Sequence, residues 1–174
     1  MNSHDNFEII KYGCKILRKT SVTIEEIDLE LVTFVEKMAT TMYAIDHGVG
    51  LAAPQVGVNK RVVIIDFGKG LTVYINPEIV SSSTLTSIEE EGCLSLPEIN
   101  ALVERSVSVE VRYFDLEGNV IEEELEEFAA RAFQHELDHL DGILFIDRVK
   151  PALLVPLSGK LKEIKKTGRQ QNQK

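Results

Sequence analysis

Two histidines and a glutamate towards the C-terminal end of the chain have the spacing of a metal-binding helix. Residues 135–139 read H-E-L-D-H. In a helix that turns about 100° per residue, His139 lies roughly 40° round from His135, so both imidazoles can reach one cation. Glu136 is turned away from easy ligation but is well placed for a metal-bound water. The alternative is that these side chains occupy a helix by chance and make ordinary polar contacts.

A tetrahedral catalytic site needs a third protein ligand and one open position for water. Cys93 is the best candidate, because a glycine before it and a proline after it let the segment turn towards a site. We interpret the other cysteine, Cys14, as a small buried hydrophobic residue, the usual fate of a free thiol. The sequence thus predicts one divalent metal held by Cys93, His135 and His139.

Small residues dominate residues 48–55, which read G-V-G-L-A-A-P-Q. A phosphate-binding loop is not indicated, because no strand precedes the segment and no Lys-Ser/Thr pair follows its glycines. Gly48 and Gly50 instead let a substrate backbone approach closely. Gln55 supplies a side-chain amide that can donate to a developing oxyanion.

Two amphipathic helices are predicted. Residues 28–44 carry apolar side chains at three- and four-residue spacing behind an aspartate suited to cap the helix. Residues 127–141 show the same spacing, with Gly142 placed to end the helix. Because Phe128 lies on the same stripe as His135, we expect the imidazoles to face inward, where ligation would offset the cost of a buried polar ring.

The strand signals indicate an antiparallel sheet. Residues 61–67 and 71–76 are β-branched runs joined by a G-K-G turn, which predicts a hairpin. Residues 102–115 alternate apolar and polar side chains, as in one half-buried strand. The acidic run at 120–126 suits an exposed edge strand. We predict an α+β fold in a single compact domain spanning 1–174, with a tail after about residue 166 polar enough to fray.

Composition narrows the classes of function. The 174 residues are 44% hydrophobic, which suits one domain with one substantial core. The net charge of -9 argues against stable nucleic-acid binding, and the basic side chains at 160–169 are interpreted as a solvated helix face. We predict a soluble cytoplasmic protein, because the two cysteines are far apart and no apolar stretch has the length of a membrane span. Residues 1–7 also lack the apolar region of a signal peptide.

Taken together, these segments resemble the peptide deformylases. Three motifs of that family, G-x-G-x-A-A-x-Q, E-G-C-x-S and Q-H-E-x-D-H-x-x-G, occur in order at residues 48–55, 91–95 and 134–142. Three separately spaced motifs make the resemblance highly specific. It implies mixed or antiparallel sheets packed around a central metal-binding helix. It also implies hydrolytic removal of the N-formyl group from the N-terminal methionine of nascent polypeptides, with release of formate.

The resemblance implies a role for each residue of the site. The metal would be iron(II), with zinc, nickel or cobalt able to substitute, held by Cys93, His135 and His139. Glu136 would be the general base that takes a proton from metal-bound water to give hydroxide, and Gln55 with the backbone N–H of Leu94 would stabilise the tetrahedral oxyanion. The implied partners are N-formyl-methionyl nascent peptides at the ribosome exit, met by a monomer with no nucleic-acid or membrane site of its own.

The resemblance also implies an apolar pocket for the methionine side chain beside the metal. The expected substrate-binding positions are Gly48, Val49, Gly50, Glu91, Phe128, Arg131 and Ala132. Arg131 is expected to cover apolar surface with its stem while its head reaches water.

Charged residues near the second motif suggest a supporting contact. We hypothesise that Glu91 and Arg105 form an ion pair that fixes the strand carrying Cys93. The alternative is two independent surface charges. Asp138 is expected to orient a ligand or to pair with an arginine that the sequence does not identify.

Two other functions would use the same ligands. A zincin-type endopeptidase shares H-E-x-x-H but draws its third ligand from a downstream residue, whereas Cys93 lies upstream. A non-catalytic metal-stabilised binding module would normally close its site with four ligands. The chain departs from the family at two places, with Gly13-Cys14 where Pro-Asp is common and Asn100 where some members have a cationic substrate contact. These departures bear only on a local turn and on the preference for substrate residues downstream of methionine.

Overall fold

The computed structural model describes residues 6–46 and 48–173. The α-helices are α1 Leu29–Tyr43, α2 Glu127–Leu140, the short α3 Pro151–Leu154 and α4 Ser158–Gln170. The strands are β1 Gly50–Ala52, β2 Val62–Asp66, β3 Leu71–Ser82, β4 Thr86–Cys93, β5 Leu96–Ser106, β6 Ser108–Phe114 and β7 Val120–Glu126. Residues 1–5, most of the segment examined for a targeting signal, lie outside the described residues. Within the described part of the chain, no helix combines the length and apolar character needed to span a membrane.

The strands form two antiparallel sheets, which confirms the α+β prediction. One sheet has five strands in the order β1-β2-β3-β6-β7, and the other pairs β4 with β5. Every pairing between named strands is antiparallel. β7 lies at the edge of the larger sheet, so its acidic run faces solvent as predicted.

The larger sheet is covered by a helix on each face. Val62 and Ile64 of β2 pack in a cluster with the apolar side of α1, while Val63 and Ile65 pack with α2. β2 is therefore buried on both faces, which explains its uninterrupted apolar sequence. The predicted N-cap of α1 is present, since the Asp28 carboxylate accepts a hydrogen bond from the Leu31 N–H at 2.8 Å.

Helix α2 contacts strands of both sheets and most of its residues are buried. It follows β7 without a loop and ends just before Gly142, whose φ of +73° is the left-handed conformation predicted for that glycine. A side chain there would also meet the Arg18 backbone at 2.8 Å. The ends of α2 are thus fixed by the sheet on one side and by a close backbone contact on the other.

The prediction of one strand over residues 102–115 is wrong. The chain leaves β5 at Ser106 and enters β6 at Ser108, and these strands belong to different sheets. The alternation of buried and exposed side chains continues across Val107 almost unbroken. Because the pattern of burial is the same on both sides, the sequence gives no sign that the pairing partner changes from β4 to β3.

Strand β3 is longer than predicted, running to Ser82 where the sequence suggested an end at residue 76. Asn76 has a φ of +49° and the register shifts between Ile75 and Glu78. A bulge of this kind accommodates Pro77, which cannot donate to the ladder. The strand therefore continues through the proline.

The C-terminal tail also differs from expectation. Helix α4 continues to Gln170 and is followed by a 3-10 turn at Gln171–Gln173, where the sequence suggested fraying after about residue 166. Two side chains of this turn, Gln171 and Asn172, accept hydrogen bonds from the backbone N–H groups of Lys11 and Lys15. These contacts supply the order that the polar composition does not predict.

Candidate metal centre and active site

The three predicted ligands converge. Each pair among the ligand atoms of Cys93, His135 and His139 lies within 4.8 Å, which is compatible with ligation of one ion. The Cys93 Sγ is 3.2 Å from Nε2 of His139. Among the residues that the structure describes, no fourth Cys, His, Asp or Glu belongs to this group. Three protein ligands with room for one more describe a catalytic type of site rather than a closed structural one.

Two elements bring these ligands together. Both imidazoles project from α2, and they are buried at 9% exposure for His135 and 1% for His139. Cys93 is the last residue of β4, and the register of β4 with β5 shifts between Gly92 and Cys93. Because a bulge re-aims the side chain that follows it, this irregularity accounts for a thiol turned out of the ladder towards α2.

The electrostatic setting favours the thiolate form that a metal requires. Burial alone would raise the pKa of the Cys93 thiol, but the two imidazoles outweigh it and hold that pKa well below its usual value. The pKa of His135 is likewise held well above its usual value, against the effect of burial, by hydrogen bonds to Cys93 and Glu91. A cation in the site would take the place of the protons that these groups share.

Glu91 orients His135 and is the centre of a buried ion network. Its Oε2 lies 2.9 Å from Nδ1 of His135, which leaves Nε2 of that ring for the metal site. Arg105 donates from Nε and Nη2 to the two oxygens of Glu91, each at 2.9 Å. The predicted ion pair is therefore confirmed, and burial of both side chains excludes the interpretation as independent surface charges.

Asp138 joins the same network from the next turn of α2. Arg105 Nη1 donates to its Oδ2 at 2.6 Å, and Nε of Arg148 donates to the same oxygen at 2.6 Å. The arginine partner that the sequence left open is thus a pair, one from β5 and one from beyond the helix. The network ties the Cys93 strand to the histidine helix.

Glu136 lies beside the candidate metal ligands, and one of its carboxylate oxygens is unpaired in the described part of the chain. Its side chain is buried, and within the described residues its Oε2 has no hydrogen-bond partner. Burial raises the pKa of this carboxyl above its ordinary value. An unpaired buried carboxylate is costly, and here it is available to exchange a proton with a molecule in the adjacent cavity.

Gly50 leaves the space that Glu136 occupies. A methyl group at Gly50 would lie 2.7 Å from Oε1 and 3.0 Å from Cδ of Glu136. We expect Gly50→Ala to displace the carboxylate and to lower about tenfold the kcat of the hydrolysis that the family resemblance implies, because reacting groups are sensitive to shifts of this size. Steady-state assays should be compared with Gly159→Ala, a helix position where an added methyl group meets nothing within 4 Å. Equal kcat values for the two variants would show that Glu136 tolerates the displacement.

The amide of Gln55 is turned towards the metal ligands. Its Oε1 accepts a hydrogen bond from the Ala52 N–H at 2.8 Å, which directs Nε2 the other way. Nε2 lies 3.5 Å from the Cys93 Sγ and 3.4 Å from the Ser95 Oγ. Both contacts are long, so the amide remains free to donate more closely to a bound molecule.

A cavity of about 850 Å³ opens beside these groups. Its size is within the range of small-molecule sites. It is lined by Gln55, Cys93, Leu94, His135 and Glu136 of the proposed machinery. It is also lined by the expected substrate positions Gly48, Val49, Gly50, Glu91, Phe128, Arg131 and Ala132. The three sequence motifs thus meet on one concave surface.

Two of these positions have surroundings that the sequence did not indicate. The expectation that the head of Arg131 reaches water is wrong, because its Nη1 donates to Glu91 at 2.8 Å and to the Val103 carbonyl at 3.0 Å. Phe128 is 56% exposed. It therefore does not share a buried face with His135, which was the reason to expect that the imidazoles face inward. Its ring instead stands edge-on to Phe67 at the rim, with centroids 6.3 Å apart.

Part of the cavity wall comes from residues that the sequence did not single out. Lys11 and Gln171 line it from the two ends of the chain, and no motif links positions so far apart. Ser95 lies 3.4 Å from the Gln55 amide. It is a fixed position of the E-G-C-x-S motif, so the sequence does carry a signal that points to it. Cys14 is buried as expected, with its Sγ 3.3 Å from the Asn172 Oδ1.

The donor set and its unpaired atoms fit one divalent cation. A thiolate and two imidazoles are ligands that divalent transition metals accept. Within the described residues, Nδ1 of His139 and Oε2 of Glu136 are buried and lack partners, which marks the pocket as polar and incompletely satisfied. The donors, the open position and the cavity together define a metal-binding hydrolase.

Comparison with known proteins gives the family. The family model described as polypeptide deformylase matches residues 6–153. A peptide deformylase from Thermotoga neapolitana is 48% identical over 163 residues, covering 94% of this chain and 99% of the relative. The chain therefore belongs to the polypeptide deformylase family, whose members are metalloenzymes that act on formylated nascent peptides.

Solved structures agree with this assignment. The crystal structure of a peptide deformylase from Thermotoga maritima has a TM-score of 0.82 at 47% identity and covers 84% of this chain and 99% of its own. A class I type b peptide deformylase from Acinetobacter baumannii with Met-Ala-Ser bound has a TM-score of 0.78 at 36% identity, covering 83% and 98%. Neither the endopeptidase nor the non-catalytic module is supported.

Proposed function

We propose that this enzyme removes the formyl group from N-formyl-methionyl peptides through one divalent metal held by Cys93, His135 and His139. The observation that carries the proposal is that Cys93, His135, the buried Glu136 carboxylate and the Gln55 amide border one open cavity, with the ligand atom of His139 within 4.8 Å of those of Cys93 and His135. Iron(II) is the proposed native metal, in keeping with the family resemblance, and zinc, nickel or cobalt would fit the same donors. The cation would act as a Lewis acid and would lower the pKa of water in the site.

Glu136 is the proposed general base. It would take a proton from the water that attacks the formyl carbon and would pass it to the departing amine as the C–N bond breaks. The products are formate and a peptide with a free α-amino group. The raised pKa of this buried carboxyl supports both halves of the transfer, because a group with a pKa closer to neutrality can accept and release a proton more evenly.

Gln55 and the backbone N–H of Leu94 are the proposed oxyanion donors. The tetrahedral intermediate carries negative charge on the former formyl oxygen, and donors fixed in advance stabilise it without reorganisation. Gln55 is suited to this role because it is 1% exposed and its amide is oriented by Ala52. Leu94 follows the Cys93 ligand directly and lines the cavity.

The methionine side chain is proposed to lie among the cavity residues beside the metal. The proposed contacts are Gly48, Val49, Gly50, Glu91, Phe128, Arg131 and Ala132. The charged groups of Glu91 and Arg131 are satisfied inside the protein, so these two would contribute wall surface rather than charge. Met-Ala-Ser bound to the Acinetobacter baumannii relative supports a cavity that takes a methionyl peptide.

Phe128→Ala is expected to raise KM for formyl-methionyl peptides about threefold or more with little change in kcat. The ring covers the pocket rim beside Phe67, and removal of apolar wall weakens ground-state and transition-state binding alike. Initial rates over a range of formyl-Met-Ala-Ser concentrations would measure this. Phe114→Ala, an exposed aromatic on β6 away from the cavity lining, is the matched control. An unchanged KM in Phe128→Ala would remove this residue from the pocket.

The proposal extends to the substrates of the enzyme in the cell, to its oligomeric state and to its compartment. The substrates would be nascent polypeptides that present formyl-methionine as they leave the ribosome, met by a monomeric enzyme in the cytoplasm.

Formate release from formyl-Met-Ala-Ser, assayed beside acetyl-Met-Ala-Ser and an internal Met-Ala bond, tests the proposal. Release of formate alone is expected. Cleavage of the internal bond without formate would indicate a peptidase instead.

A further inference from the structure

The end of the chain is joined to a segment near its beginning by one amide side chain. Gln171 accepts a hydrogen bond at Oε1 from the Lys11 N–H at 2.7 Å. Its Nε2 donates to the Ile9 carbonyl at 3.3 Å and to the Glu8 carboxylate at 3.0 Å. Gln171 thus binds two backbone groups on one edge of the segment at residues 9–12, as a neighbouring strand would.

Helix α4, which ends just before Gln171, lies directly against this segment. A Cβ on Gly168 would be 2.3 Å from the carbonyl oxygens of both Lys11 and Tyr12. A Cβ on Gly13 would be 2.2 Å from the Lys165 carbonyl oxygen. Glycine on both sides permits a backbone contact that any side chain would prevent, so the end of α4 is closely fitted to residues 11–13.

The other edge of residues 9–12 faces the active site. The Ile10 N–H donates to the Gln55 carbonyl at 2.8 Å, and the Tyr12 N–H donates to the Ser95 carbonyl at 2.9 Å. Lys11 Nζ, partly buried in the cavity wall, donates to the Leu94 carbonyl at 2.8 Å. Residues 9–12 therefore bind Gln171 on one side and Gln55, Leu94 and the neighbouring Ser95 on the other.

We propose that Gln171 is a positioning residue for deformylation, which holds residues 9–12 so that they keep Gln55 and Leu94 in register with the metal site. The inference rests on the oxyanion roles proposed above for those two residues. It makes the end of α4 part of the active-site architecture, although the match to the family model ends at residue 153. Displacement of oxyanion donors affects the transition state more than the bound substrate, so the effect belongs in kcat.

Asn172 supplies a matched control. It is the next residue along, and its Oδ1 accepts from the Lys15 N–H at 2.7 Å while its Nδ2 donates to the Gly13 carbonyl at 3.5 Å. These contacts hold residues 13–15, which make no hydrogen bond to Gln55, Leu94 or Ser95 in the described part of the chain. Both amides anchor the same end of the chain, but only that of Gln171 anchors the part that touches the site.

The test compares Gln171→Met with Asn172→Leu in the metal-loaded, full-length protein. Each replacement keeps the approximate side-chain volume, so the cavity wall is retained while the hydrogen bonds are lost. For Gln171→Met we expect kcat on formyl-Met-Ala-Ser to fall about tenfold with KM within about twofold of wild type. Amide exchange at Ile10 and Tyr12, followed by NMR, should become about tenfold faster. Asn172→Leu should leave both readouts within about twofold of wild type.

Two results would overturn the proposal. One is a kcat for Gln171→Met within about twofold of wild type. The other is an equal loss of kcat in Asn172→Leu, which would mean that the variants only loosen the C-terminus. Failure of the proposed function is separate, because it would be seen as an absence of formate release by the wild type. In that case the exchange rates at Ile10 and Tyr12 still decide whether Gln171 holds this segment.

Discussion

Replacement of Glu136 by glutamine is expected to lower kcat for formate release about a thousandfold, with the metal still bound. The amide keeps the shape of the carboxylate but cannot accept a proton from the attacking water. The side chain is buried beside Gly50, and within the described residues one of its oxygens has no hydrogen-bond partner, which leaves that oxygen available for the proton transfer. Single-turnover and steady-state release of formate, with metal content measured in the same preparation, would give the size of the effect.

The matched control is Glu124→Gln on the exposed edge strand β7, which makes the same change of charge away from the cavity. It should retain wild-type kcat. If Glu136→Gln kept more than about a tenth of the wild-type kcat, another group would have to be the base. A loss of metal together with activity would indicate that Glu136 supports the ligands rather than the proton transfer.

Arg105→Met is expected to lower the free energy of unfolding of the metal-free protein by about 3–5 kcal/mol. Arg105 is buried, and it donates to both oxygens of Glu91 and to Asp138. Its removal leaves two buried carboxylates with fewer partners, which costs more than the loss of a solvated ion pair. Equilibrium urea denaturation in the presence of a chelator would measure the change without a contribution from metal binding.

Arg112→Met tests whether burial, rather than ion pairing as such, sets this cost. Arg112 pairs with Glu78 and Glu122, but about half of its side chain is exposed. We expect a loss of about 1 kcal/mol or less. Equal losses for Arg105→Met and Arg112→Met would contradict the account of the buried network. A double-mutant cycle of Arg105→Met with Glu91→Gln should show strong coupling between the two side chains.

The convergence of His135 and His139 was predictable because their relative geometry is encoded locally. The spacing of His135 and His139 places both rings on one side of any α-helix. The apolar periodicity of residues 127–141 and the glycine that follows them identify that helix. Cys93 is indicated by the glycine before it and the proline after it, which let the segment turn towards a site. Gly50, singled out for close approach of a substrate, has a second requirement that only the structure reveals, since Glu136 fills the space beside it.

Other features depend on contacts between distant parts of the chain, which periodicity does not record. The alternation through Val107 is the same whether the strand keeps or changes its partner. A solvated head is expected for Arg131 because an arginine stem can cover apolar surface while its charge reaches water, but the guanidinium donates to Glu91 and to the Val103 carbonyl instead. Gln171 and Lys11 are separated by 160 positions and meet only after the two ends of the chain pack together.

The coordination of the metal tests the central claim most directly. The protein should be purified anaerobically, its metal content measured, and its X-ray absorption recorded at the edge of the bound metal. The account predicts one metal per chain with a single sulfur ligand at about 2.3 Å and two imidazole nitrogens, and loss of the sulfur contribution in Cys93→Ala. A spectrum without sulfur, or one with four protein ligands and no position left for water, would contradict it.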